Sequence, residues 1–87
     1  MTRRRADPGA PPVADRRLDA GQSACGELLV LLHLQMRTLK EEQVLHVVGY
    51  DRGAIQDIPA WCRMTGHRLL SVVDERPAHF YIQKRRR

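Results

Sequence analysis

Gln43-Val44-Leu45-His46-Val47-Val48-Gly49 is the stretch on which the fold turns. Its β-branched Val44, Val47 and Val48 stand in a near-continuous apolar run, which suits a central strand covered on at least one face. Upstream, Leu29, Leu32, Met36 and Leu39 recur at three- and four-residue spacing and predict one stripe of a helix from Gly26 to about Lys40. Arg37 and Lys40 fall in its last turn, where cations suit the helix dipole. Downstream, Asp51-Arg52-Gly53 marks a turn, with Asp51 placed as an N-cap for a second helix over about Gly53 to Thr65. Ile55, Ile58 and Cys62 line one side of that helix with Trp61 beside them. Pro59 has no N–H and crowds the preceding turn, so it is expected near the first turns or at a bend, and Gly66 supplies the stop.

Farther out, Arg68 to Asp74 reads as a third strand and Ala78 to about Gln83 as a fourth, joined by a hairpin loop at Glu75-Arg76-Pro77. In the fourth, Phe80 and Ile82 alternate with His79, Tyr81 and Gln83, the period of a half-exposed strand. A short first strand at Ala14 to Ala20 rests on Leu18 alone, followed by the turn Gly21-Gln22-Ser23. The order is β-α-β-α-β-β. Two helices with one apolar stripe each can cover one face of a four-stranded sheet, which predicts an α+β (α/β) two-layer sandwich with a mixed sheet: a parallel crossover through the first helix and a terminal antiparallel hairpin.

With 87 residues there is room for one domain, placed at residues 15–84. Residues 1–14 carry charge, prolines and a glycine with little to bury and are expected to be a disordered arm; residues 85–87 form a basic tail. The net charge of +5 lies largely in Arg3-Arg4-Arg5 and Lys84-Arg85-Arg86-Arg87, runs that either solubilise or attract nucleic acid or an acidic partner. The run Leu28 to Leu32 is far too short to span a bilayer, which needs roughly 20 apolar residues, and no apolar stretch follows the N-terminal arginines as in a secretory signal. No membrane association is expected, and the expected location is the cytoplasm.

Two cysteines, Cys25 and Cys62, are too few for a disulfide scaffold, and His33, His46, His67 and His79 are spread without zinc-site spacing. Cys25 stands where a loop turns into the first helix. Unpaired N–H groups and the positive end of the dipole favour a thiolate there, while a small, inert residue at a helix start is the competing reading. Gly26 leaves the backbone open to an incoming sulfur species. Glu27 suits the dipole but opposes a thiolate. Cys62 shares the stripe of Ile55 and Ile58 and reads as core rather than as a second, resolving thiol. His33 lies about two helical turns past Cys25, too far to act as its base, which argues against a cysteine hydrolase. Trp61 and Tyr81 could stack bases, but they sit on separate elements without a basic-aromatic motif, and Trp61 reads as partial core.

From Leu18 to the last strand the chain resembles the TusA-like (SirA-like) sulfur-carrier family. Leu18-Asp19 leads to Cys25; Asp57-Ile58-Pro59-Ala60-Trp61-Cys62 with Gly66-His67-Arg68-Leu69 is similar to the family's second-helix stretch; Ala78-His79-Phe80-Tyr81-Ile82-Gln83-Lys84 resembles its closing strand. The family signature Cys-Pro-x-Pro is replaced by Cys25-Gly26-Glu27-Leu28. Proline at the first helical position is pre-organised, whereas glycine is looser but adds one N–H donor. The resemblance implies a persulfide on Cys25, received from a donor such as a cysteine desulfurase or rhodanese and passed to an acceptor protein, with no bound cofactor; the histidine and cysteine spacing predicts no metal, and a monomer is expected. It points to tRNA thiolation, molybdenum-cofactor maturation or sulfur oxidation without choosing among them. The missing prolines motivate a second expectation, a non-catalytic interaction or regulatory module, and the arginine-rich ends a third, RNA binding.

Overall fold

The computed structural model describes residues 12–21 and 25–85, with the side chain of Cys25 outside that description. Six elements follow one another: β1 (Arg16–Asp19), α1 (Cys25–Thr38), β2 (Val44–Gly49), α2 (Ala54–Thr65), β3 (Arg68–Val73) and β4 (Ala78–Gln83). The strands form one sheet in the order β1-β2-β4-β3. β1 runs parallel to β2, and β4 is antiparallel to both β2 and β3, so the predicted mixed sheet is present. The expected arm lies largely in residues 1–11, outside the described residues, as do Arg86 and Arg87 of the tail. No helix among the described residues is long and apolar enough to cross a membrane.

Side-chain alternation divides the sheet into two faces. Leu45 and Val47 of β2, and Phe80 and Ile82 of β4, all have no exposed surface and sit in one cluster with Leu28, Leu32 and Met36 of α1 and Ala54, Ile58 and Cys62 of α2. The first helix therefore buries Leu28 as well as Leu32, Met36 and Leu39, while Leu29 lies only partly buried at the margin of the stripe. In β4 the expected half-exposure is only partly met. Tyr81, on the face away from the helices, is buried because it lies flat on His46 of β2, ring centroids 4.4 Å apart and 7° from parallel.

α2 runs through Pro59 without ending there. Asp51 is not its N-cap: that position is Gly53, which has no side chain to cap with, and Asp51 instead accepts the Gly53 N–H on Oδ1 at 2.8 Å, forming the turn before the helix. At the other end Gly66 takes the left-handed conformation (φ 85°) and donates its N–H to the Cys62 carbonyl, a closure for which glycine pays no Cβ penalty. In β3 the pairing to β4 shifts between Leu69 and Ser71, so that Leu70 has no counterpart.

Because α1 follows β1 and α2 follows β2, and these strands are parallel, the two helices run the same way. Both N-termini lie at one end of the sandwich, with the carboxyl ends of β1, β2 and β3, and both C-termini lie at the other.

Candidate functional site

Cys25 is the first residue of α1. Its main chain stands at the positive end of a 14-residue helix, beyond the carboxyl ends of the parallel strands β1 and β2. The two remaining positions singled out at the helix start, Gly26 and Glu27, are exposed, and a Cβ placed on Gly26 would meet nothing within 4 Å. The helix begins at Cys25 even though glycine occupies the place of the family's proline. Leu28 holds this turn down: Leu28 Cδ2, Ala54 Cβ and Phe80 Cε1 converge at 3.9, 3.5 and 3.6 Å from where a Gly49 Cβ would lie.

Asp19 organises the strand end that leads to Cys25. One carboxylate oxygen accepts the N–H of Gly21 at 2.9 Å, and the other accepts the Tyr50 hydroxyl at 3.3 Å. The end of β1 is thereby tied to the end of β2 at the entrance to the cysteine loop. Gly21 has φ 60°, the left-handed value that such a turn requires. On the same end of the molecule, Arg52 pairs with Asp74 at 2.8 Å and donates to the Glu75 carbonyl at 3.1 Å, joining the β2–α2 turn to the β3–β4 loop.

Cys62 is elsewhere. It is 3% exposed within the core, and burial pushes its thiol up to about 11, against a small opposing effect of Arg63. A thiol in that state is nearly all protonated at neutral pH and a poor nucleophile. Base stacking by Trp61 or Tyr81 is not available either: Trp61 is 6% exposed beside His67, and Tyr81 is covered as described. No group of three or more metal-ligating side chains exists among the described residues.

One grouping was not visible in the sequence. The β2–β4 register sets His46 opposite Tyr81 and Val48 opposite His79, which brings His46 Nε2 within 2.9 Å of His79 Nδ1 on the open face. Only one proton fits between these nitrogens. The signal was the alternation of both strands, but it becomes readable only once β2 and β4 are known to be neighbours. Burial, His79 and Arg17 together lower the His46 pKa, and burial, Lys84, Arg85 and His33 lower that of His67. A histidine that is harder to protonate folded than unfolded stabilises the fold above its unfolded value of about 6.5, and that stabilisation is lost as the pH falls below it. The melting temperature is therefore expected to fall between pH 7 and pH 5. His46→Gln is expected to reduce that fall, leaving the part due to His67; thermal melts across this range check it.

The sulfurtransferase TusA family model matches residues 16–84, from the first strand to the residue after the last. The chain belongs to the TusA family. Among TusA-family relatives, the Bacillus subtilis (strain 168) protein named "Putative sulfur carrier protein YrkI" is 39% identical over 72 residues, covering 82% of this chain and 96% of that one. The sulfur carrier protein TusA of Pseudomonas entomophila (strain L48) is 35% identical over 69 residues, 79% of this chain and 86% of its own. That of Pseudomonas putida (strain W619) is 34% identical over 67 residues, 77% and 84% respectively. The β-α-β-α-β-β sandwich described above is the fold of this TusA-family chain, and Cys25 stands at its first helix N-terminus.

Proposed function

We propose that this protein is a sulfur carrier whose working group is the Cys25 thiolate. The observation that carries the reading is the position of Cys25 as the first residue of α1, beside an exposed and sterically open Gly26, in a chain of the TusA family. The names of its relatives support the same role. In loading, the Cys25 thiolate attacks the terminal sulfur of a donor persulfide. The new Cys25 S–S bond forms as the donor's S–S bond breaks, and the donor leaves as a thiolate. In delivery, an acceptor cysteine thiolate attacks the terminal sulfur held on Cys25, and Cys25 leaves as a thiolate. Neither step changes the total number of sulfane sulfurs, and neither needs a general base beyond what keeps the attacking thiol ionised.

The helix start favours both anions that this cycle places on Cys25, the thiolate and the persulfide, through the dipole and the unpaired first-turn N–H groups. Glycine at position 26 retains an N–H that the family's proline would lack, in a turn where that group has no intrahelical acceptor. Donor and acceptor are proteins that present a persulfide or thiol: a cysteine desulfurase or rhodanese on one side, and on the other a component of tRNA thiolation, molybdenum-cofactor maturation or sulfur oxidation.

The test is intact-mass analysis of reduced protein after incubation with cysteine and a desulfurase, or with thiosulfate and a rhodanese. A gain of one sulfur, removed by reductant and absent in Cys25→Ser, is expected. Absence of the adduct under conditions that load a relative with both prolines would replace this reading by that of a non-catalytic interaction module.

A further inference from the structure

The end of the sandwich opposite Cys25 carries a cationic groove. Two adjoining cavities of about 380 and about 450 Å³ share Lys84 and Arg85. The first is lined also by Arg68, Gln83 and Glu42, and the second by Lys40, Glu41 and Leu39. We propose that this groove binds the phosphodiester backbone of a nucleic-acid strand.

Its two central cations are already fixed in place. Lys84 Nζ donates to the Met36 carbonyl in the last turn of α1, and Arg85 donates to the Thr65 carbonyl at the end of α2 at 2.8 Å. The Arg85 main-chain N–H also donates to His67 Nδ1 at 3.1 Å. These contacts occupy one of three ammonium donors and one of five guanidinium donors, so both heads keep N–H groups for a ligand. Holding the side chains in advance lowers the ordering entropy that binding would otherwise cost. Lys40 and Arg68, both exposed, extend the positive lining to either side. Four cations thus face Glu41 and Glu42, and Arg86 and Arg87 follow directly in the sequence. The whole chain adds a background of +5.

The lining selects phosphate over an acidic protein. Protein interfaces rest on buried aromatic or aliphatic anchors, and here Leu39 is the only sizeable apolar side chain, itself buried in the core. Guanidinium forks, by contrast, match phosphate oxygens two at a time. The 14 residues of α1 put roughly 20 Å between this groove and Cys25, so a bound strand would leave the thiol accessible. The proposal does not depend on sulfur transfer.

The experiment is fluorescence anisotropy of the full chain with a labelled mixed-sequence RNA, and with DNA of the same sequence, across a range of salt concentrations. Binding that weakens steeply with salt is expected for both, since the backbone is common to them. Lys40→Glu with Arg68→Glu, which spares the two helix-capping cations, is expected to weaken binding at least about tenfold and to flatten the log–log salt dependence by roughly 1.4, about 0.7 per lost phosphate contact. The melting temperature and Cys25 sulfur loading are expected to be retained. Chemical-shift mapping on the unmodified protein is expected to place the largest changes at residues 40–42, 66–68 and 83–85. The proposal is overturned if no strand binds, if the double variant binds as well as the parent, or if removing Arg86 and Arg87 alone abolishes binding. Equal affinity for poly-glutamate, or shifts centred on the Cys25 end, would overturn it as well.

Discussion

Native protein treated with excess iodoacetamide near pH 8 is expected to gain one carboxamidomethyl group, on Cys25, and no second one until denaturant is added. The contrast rests on Cys62. With its thiol pushed up to about 11, only about one molecule in a thousand carries the thiolate at pH 8, and the residue is 3% exposed. Modification there needs both ionisation and opening of the core, so its rate is expected to trail that of an ordinary exposed thiol by more than a thousandfold. Peptide mapping of the once-modified protein identifies the site. A native protein that takes no label would remove the basis for a carrier thiol, and one labelled first at Cys62 would contradict the packing of α2. The raised pKa has a consequence for stability too. The folded state holds the Cys62 proton more tightly than the unfolded state, so its contribution is complete below about pH 9 and is lost as the pH rises towards 11.

The largest effect on the fold is expected from Phe80→Ala. Phe80 is fully buried on β4, between β2 and β3, and its ring lies where α1, α2 and the end of β2 meet around Gly49. Truncating a buried phenylalanine costs about 3–5 kcal/mol, a large part of the roughly 5–15 kcal/mol that holds a small domain together. In a chain of this size that corresponds to a melting temperature lower by roughly 15–30 °C. Phe80→Leu, which keeps most of the volume, is expected to lose much less. Because the same packing seats the turn that begins with Cys25, sulfur loading by Phe80→Ala is expected to fail at temperatures where Phe80→Leu still loads. Thermal melts and intact-mass loading of the two variants side by side check both statements.

The elements were legible in the sequence wherever a hydrophobic period had room to repeat. The β2 run from Val44, the α1 stripe ending at Leu39 and the alternation of Phe80 and Ile82 each gave type and approximate extent, and β4 has the predicted limits. Legibility failed where one residue had two physically reasonable uses. Asp51 could cap a helix or close a turn, and it closes the turn, its carboxylate accepting the Gly53 N–H two residues on while Gly53 stands at the N-cap. Leu28 and Leu29 are adjacent in an unbroken apolar run, so periodicity could not decide which faces the sheet. The contacts of Asp19 with Gly21 and Tyr50, and of His46 with His79, join residues that only the assembled sheet makes neighbours. Cys25 was marked by its place before a helix and by the residues around it, and its position at the start of α1 is a matter of main-chain geometry.

The irregular pairing in β3 bears on how the protein behaves in company. β3 is the last strand of the sheet, and Leu70 and Val72 on it are each 39% exposed, so an unbroken, flat margin here would invite strand addition by another molecule. The extra residue at Leu70 interrupts the regular spacing of main-chain donors and acceptors and increases the local twist, and Arg68 puts a charge at the start of the same strand. An incoming chain can match only a few residues before the register fails. The bulge and the charge thereby work against edge-to-edge pairing along β3.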